Sequence, residues 1–109
     1  MKAAVYYGPR DIRVEDVPRP QPGPHDILVS VRACGICGSD LHTYRYGLFE
    51  DLGRVLDGRD GRIMGHEWGG VVAEVGSEVT SVKVGDRLTG VGRGAYAEYV
   101  LVEAADQNV

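Results

Sequence analysis

A mainly β fold, a barrel or sandwich of short strands, is what this 109-residue sequence predicts, on three observations. Apolar and polar residues alternate over several short segments, the period of half-buried strands. Sixteen glycines, about twice the ordinary share, fall mostly at the ends of those segments, where positive φ or close backbone approach is needed. Helix signals are scarce.

Lys2 to Tyr7 reads as a first strand, and Ile12 to Val17 alternates as a second. Pro18, Pro20, Pro22 and Pro24 follow. Proline lacks an amide donor, so this stretch is a surface connection rather than helix or inner strand. Asp26 to Ala33 alternates through Ile27, Val29 and Val31 and delivers the chain to Cys34. Gly35 and Gly38 mark a tight turn around Cys37, after which Ser39 or Asp40 can cap a short helical turn towards Tyr44. Tyr46 to Gly61, polar and rich in glycine and charge, reads as a long surface loop. Strands return at Gly70–Gly76, Val79–Val84, Arg87–Thr89 and Ala95–Val102, with turns between them at Ser77-Glu78, Gly85-Asp86 and Gly92–Gly94. The apolar side chains of these late strands outnumber what so small a barrel needs inside, so an exposed apolar face is expected on them. Gly92-Arg93-Gly94 runs into a strand rather than a helix, which excludes a dinucleotide fingerprint.

Net charge is -4 and the pI about 5.3. Arg54, Arg59 and Arg62 are interleaved with Glu50, Asp51, Asp57 and Asp60. Nothing here concentrates the cationic contacts that nucleic-acid binding needs. No apolar run approaches the ~20 residues that span a bilayer. The opening apolar stretch breaks at Gly8-Pro9, too early for a signal-peptide core. Two cysteines in such a chain are expected to be reduced, and cytoplasmic residence is expected with them.

Chemistry concentrates in two places: Cys34-Gly35-Ile36-Cys37-Gly38-Ser39-Asp40-Leu41-His42, and Gly65-His66-Glu67-Trp68-Gly69-Gly70. Thiolate, imidazole and carboxylate are zinc ligands, and a catalytic site needs three of them plus an open position. The CxxC pair alone has other readings: a redox dithiol, part of a four-ligand structural zinc site with His25, His42 or His66, or two inert core thiols. The redox reading wants a helix start at the pair, which Gly35 and Gly38 disfavour. In an extended segment His66 and Glu67 point to opposite sides, so both reach one metal only through a bend. Asp40 is either a helix cap or the carboxylate that receives the distal N–H of a ligating histidine. Ser39 and His42 offer a hydroxyl and an imidazole for moving a proton away from a metal-activated oxygen. His25 reads as a surface residue.

In this order and spacing the motifs resemble the N-terminal GroES-like domain of the zinc-dependent medium-chain dehydrogenases, the superfamily of alcohol, sorbitol and threonine dehydrogenases. The likeness runs from Met1-Lys2-Ala3-Ala4-Val5 through Cys37–His42, then Gly65-His66-Glu67 with Gly70, Gly76 and Val79. It continues through Val84-Gly85-Asp86-Arg87 to Ala95-Tyr96-Ala97-Glu98-Tyr99. The resemblance implies a GroES-like, partly open β-barrel with short helices over residues 1–109. It implies Cys37 and His66 as zinc ligands and Glu67 as a carboxylate that binds the metal transiently. Ser39 and His42 would form the proton relay, and Asp40 the partner of His66. The implied reaction oxidises an alcohol or polyol to a carbonyl, with hydride passing to NAD or NADP in a full-length homo-oligomer.

Two departures from the family pattern matter. Only nine residues, Leu88 to Tyr96, join Gly85-Asp86-Arg87 to Ala97-Glu98-Tyr99, without the four cysteines of a structural zinc lobe. A single, catalytic metal is therefore expected. The remaining zinc ligand and the C-terminal Rossmann domain of the family are also missing from these residues. Partial or absent zinc occupancy and an inactive isolated domain follow as expectations, and the residues that bind the nicotinamide cofactor are left unassigned. The alternatives are a zinc-independent quinone or alkene reductase of the same fold, and a stand-alone GroES-like binding module.

Overall fold

The computed structural model describes residues 1–47 and 63–106. The expected surface loop from Tyr46 to Gly61 falls almost wholly outside the described residues.

Strand β1 (Lys2–Gly8) folds back on β2 (Asp11–Asp16) as an antiparallel hairpin. β3 (Asp26–Cys34) is the centre of a four-stranded antiparallel sheet. It pairs on one side with β4 (Glu67–Val75) and on the other with β6 (Tyr99–Glu103), and β5 (Arg87–Val91) lies outside β4. Isolated bridges Ala3↔Ala97 and Val5↔Ile63 join the hairpin to the sheet. The Ala4 N–H donates to the Tyr96 carbonyl (2.8 Å) and the Glu98 N–H to the Lys2 carbonyl (3.1 Å). The result is the expected mainly β, open antiparallel architecture, with one α-helix, α1 (Gly38–Tyr46), and a final 3₁₀ turn at Ala104–Asp106.

The core gathers on one face of the large sheet: Ile27, Val29, Trp68, Val72, Val82, Leu88, Ala95, Val100 and Val102. Fully burying an aliphatic chain such as Ile27 or Val29 stabilises by about 1.5–3 kcal/mol. Leu28 departs from simple alternation. It lies on the opposite face from Ile27 and Val29, yet all three are fully buried, so this end of β3 is covered on both faces.

Three expectations need correction. Val79–Val84 is not a strand. Turn hydrogen bonds hold it instead, Val79 N–H to Gly76 O at 3.1 Å and Asp86 N–H to Lys83 O at 3.1 Å. Only Val82 enters the core. A period of two in valines served a looped segment here as well as it would a strand. The last strand begins later than its alternation indicates, at Tyr99, because Tyr96 to Glu98 pair with the β1 hairpin and with Val31. Among the described residues, the large apolar side chains exposed on the expected late strands are limited to Val84 and Val91, since Val72, Val100 and Val102 are buried. Among the described residues, the exposed large apolar side chains are Ile12, Val14, Ile36, Leu41, Tyr46, Val84 and Val91.

Candidate metal centre

The antiparallel register of β3 and β4 puts the end of one strand beside the start of the other: Cys34 pairs with Trp68. The Gly35 N–H then donates to the Glu67 carbonyl at 2.7 Å, pinning the cysteine turn against β4. Cys37 and His66, 29 positions apart in sequence, are thereby brought close together. Cys37 is extended (φ -92, ψ 155) and is the N-cap of α1. Asp40, the third helical residue, reaches back so that its Oδ2 accepts the Cys37 N–H at 3.0 Å, the return half of a capping box. This corrects the expected start of the helix. The flanking glycines do not prevent it, and the cap is Cys37 rather than Ser39 or Asp40.

His66 is aimed by the turn before β4. Gly65 adopts φ +87, and a Cβ there would stand 2.7 Å from the Tyr96 ring, so only glycine fits without displacement. The Tyr96 N–H donates to Met64 O (2.9 Å), the Ala95 N–H to Gly65 O (3.1 Å) and the Gly92 N–H to His66 O (2.9 Å). This bend lets His66 and Glu67 converge although they are adjacent. Cys37 Sγ, a His66 ring nitrogen and a Glu67 carboxylate oxygen lie within 4.8 Å of one another. A soft thiolate, an imidazole and a carboxylate at this spacing fit a zinc ion, with bonds of roughly 2.0–2.3 Å after small side-chain rotations.

Asp40 is nearly buried, at 8% exposure, and its Oδ1 lies 3.6 Å from His66 Nδ1. His66 Nε2 lies 3.9 Å from Glu67 Oε1, on the side of the donor cluster. The Tyr96 hydroxyl donates to Asp40 Oδ2 at 2.9 Å. Burial first, and then this bond to the carboxylate, push the Tyr96 hydroxyl well above the usual tyrosine range. Sequence reasoning missed Tyr96, because its link to Asp40 spans 56 positions and depends on how the hairpin and sheet are joined.

Ser39 is half-buried in the first turn of α1, and its carbonyl accepts the Thr43 hydroxyl at 2.9 Å. His42 is exposed on the same helix, its ring 4.8 Å from that of Tyr46 and outside the donor cluster. Cys34 also stands outside the cluster, and burial raises its thiol pKa. Among the described residues, therefore, a four-ligand Cys/His site does not form, and neither cysteine is a fully buried core thiol. His25 lines an open cavity of about 630 Å³ at the other end of β3, with Glu78, Val79 and Glu103.

Known proteins are similar to this chain in sequence and fold. Sorbitol dehydrogenase of Homo sapiens is 42% identical over 84 residues, 77% of this chain and 22% of that protein. The chain thus spans about a fifth of the length of that relative. The 2R,3R-butanediol dehydrogenase of Bacillus subtilis superposes with a TM-score of 0.78 at 32% identity, over 94% of this chain and 38% of its own. A chain from Sinorhizobium meliloti 1021, solved bound to NADP, gives 0.76 at 32%, over 98% and 37%. Quinone oxidoreductase of Pseudomonas syringae pv. Tomato DC3000 gives 0.73 at 32%, over 99% and 32%. No helix among the described residues is long and apolar enough to cross a membrane. The model of the alcohol dehydrogenase GroES-like domain matches residues 23–108, and with this fold and these relatives the chain belongs to that family, within the zinc-dependent medium-chain dehydrogenase superfamily.

Proposed function

We propose that this chain is the metal-bearing domain of a zinc-dependent oxidoreductase that oxidises an alcohol or polyol to a carbonyl, with hydride passing to NAD or NADP. The observation that carries the reading is the convergence of Cys37, His66 and Glu67 within 4.8 Å. Zinc bound there would supply Lewis-acid polarisation of a substrate oxygen. Cys37 and His66 would hold the ion, with Glu67, 51% exposed, completing the donor set or yielding its place to substrate. Asp40 Oδ1, facing His66 Nδ1, favours the tautomer that leaves Nε2 unprotonated on the cluster side. Ser39 would take the substrate hydroxyl proton, and the exposed imidazole of His42 would hand it to solvent.

The described residues carry no dinucleotide fingerprint, so the hydride acceptor would be held by a Rossmann domain outside these residues, as the NADP-bound relative supports. The domain alone would turn nothing over, since stabilising a hydride transfer requires the acceptor. The quinone oxidoreductase match supports a second, metal-free reading on the same fold. Such chemistry has no use for a thiolate and an imidazole aimed at one point.

Zinc titration with metal analysis tests the metal reading. The purified chain is expected to carry less than one zinc, to saturate at one, and to release it to a chelator. No uptake would remove the metal reading. Reduction of NAD or NADP by a panel of alcohols and polyols, with this domain joined to a Rossmann domain, tests the reaction. A zinc-loaded protein that oxidises none of them but reduces quinones would favour the second reading.

A further inference from the structure

The hydroxyl of Tyr96 stands at this site, bonded to Asp40, and the proposed chemistry gives it no task. Asp40 Oδ2 already accepts the Cys37 N–H at 3.0 Å, and the Tyr96 hydroxyl donates to the same oxygen at 2.9 Å. Two donors on one carboxylate oxygen fix the rotation of the group. The other oxygen, Oδ1, is thereby turned towards His66 Nδ1, 3.6 Å away, just beyond hydrogen-bonding range. At that distance a small rotation of Asp40 decides whether the imidazole has a partner.

The tyrosine is itself held from three directions. Its carbonyl accepts the Ala4 N–H (2.8 Å), its own N–H donates to Met64 O (2.9 Å), and its ring fills the space beside Gly65. Its hydroxyl oxygen is also 3.3 Å from the Gly35 carbonyl. A single residue therefore contacts the cysteine turn, the histidine turn and the β1 hairpin. We propose that Tyr96 is a positioning residue of the metal centre, whose hydroxyl locks Asp40 so that its free oxygen orients His66 for the metal.

The inference rests on the zinc reading of Cys37, His66 and Glu67, and its test separates the two. Zn²⁺ affinity is measured for the wild-type chain, Tyr96→Phe, Asp40→Asn and the double variant. Metal-free melting curves accompany each, as do the absorption bands of the Co²⁺-substituted forms. Phenylalanine keeps the ring beside Gly65 and removes only the hydroxyl. Tyr96→Phe is expected to weaken zinc binding about 10-fold, the lower end of what loss of a group behind a metal ligand costs. Its Co²⁺ bands should broaden as the imidazole loses a fixed orientation. In the Asp40→Asn background the same change should cost less than about 3-fold, because Tyr96 acts through that carboxylate.

Equal losses in both backgrounds would reduce Tyr96 to a packing residue and overturn the proposal. So would Tyr96→Phe binding zinc as tightly as wild type. A wild-type chain that takes up no zinc would overturn the zinc reading and this inference together. If Tyr96→Phe does not fold, ¹⁵N spectra of wild-type His66 decide the point. A proton on Nδ1 supports the Asp40 link, and a proton on Nε2 overturns it.

Discussion

Asp40 Oδ2 accepts the backbone N–H of Cys37 at 3.0 Å, so the candidate thiolate ligand and the carboxylate facing His66 are locked together by a single helix cap. The cap solves a folding problem and a chemical one with the same atoms. It satisfies an amide at the start of α1, and it sets a negative group behind the imidazole. The helix that carries Ser39 and His42 starts where it does because of this cap.

Cys37→Ser separates the two tasks of Cys37. Serine is a preferred N-cap residue, so the fold and metal-free melting temperature are expected to hold. Zinc affinity should nevertheless fall by more than about 100-fold, since a ligand is lost rather than a group behind one. Cys34→Ser should change affinity by less than about 10-fold, as Cys34 lies outside the cluster with its thiol donating to Gly35 O at 3.6 Å. Isothermal titration with Zn²⁺ checks both. The reverse order of losses would move the site to Cys34.

Gly65→Ala should be among the most damaging small changes in the chain. The new methyl would need φ +87 and would meet the Tyr96 ring at 2.7 Å and the Tyr96 backbone nitrogen at 2.8 Å. Backbone strain and overpacking together imply a loss of about 2–4 kcal/mol in urea unfolding. Displacing Tyr96 should also weaken zinc binding, so the two losses are expected together. A Gly65→Ala chain of wild-type stability would show that this turn relaxes freely.

The candidate donors were legible before the fold was known, and the geometry that joins them was not. Cys37, His66 and Glu67 stand out because thiol, imidazole and carboxylate occur in glycine-rich surroundings that ordinary core residues do not need. β1, β3 and β4 were legible from apolar spacing, although β4 begins three residues earlier than that spacing indicates, at Glu67. Val79 to Val84 was misread because valines spaced a few residues apart, of which only Val82 is buried, also suit a turn pinned by its own amides. Tyr96 carried no mark of a site residue in the sequence. Its contact with Asp40 follows from the pairing of Ala3 with Ala97, a relation between hairpin and sheet that no local pattern encodes.

Asp86 predicts an acid-sensitive turn. The Lys83 N–H donates to its Oδ2 and the Lys83 ammonium to its Oδ1, both at 3.0 Å, and these bonds, the backbone one first, hold the carboxyl below its usual range. A carboxylate whose pKa is lowered by folding stabilises the folded chain above the ordinary aspartate range. That contribution is lost as pH falls through the lowered folded value. Asp86→Asn keeps an acceptor for the Lys83 N–H and removes the charge. Its melting temperature should lie below wild type at neutral pH, and the gap should close towards pH ~2, below the ordinary aspartate range. A gap independent of pH would show that the charge contributes nothing to the turn.

Glu67 provides the sharpest test of how many donors this domain supplies. Its backbone is held by the Gly35 N–H at 2.7 Å and by pairing with Val91, while its side chain is half exposed with Oε1 3.9 Å from His66 Nε2. The backbone anchors the position and the side chain is free to change without cost to the fold. Glu67→Gln should therefore leave metal-free stability within about 0.5 kcal/mol of wild type. It keeps the shape but replaces an anionic oxygen by a neutral amide, a poor ligand for zinc. Zinc affinity should drop by more than about 10-fold if the carboxylate completes the donor set, and Glu67→Asp should recover part of it if reach is the limit. Equal affinity for wild type and Glu67→Gln would leave Cys37 and His66 as the only protein donors, too few for a catalytic zinc site without a ligand from elsewhere.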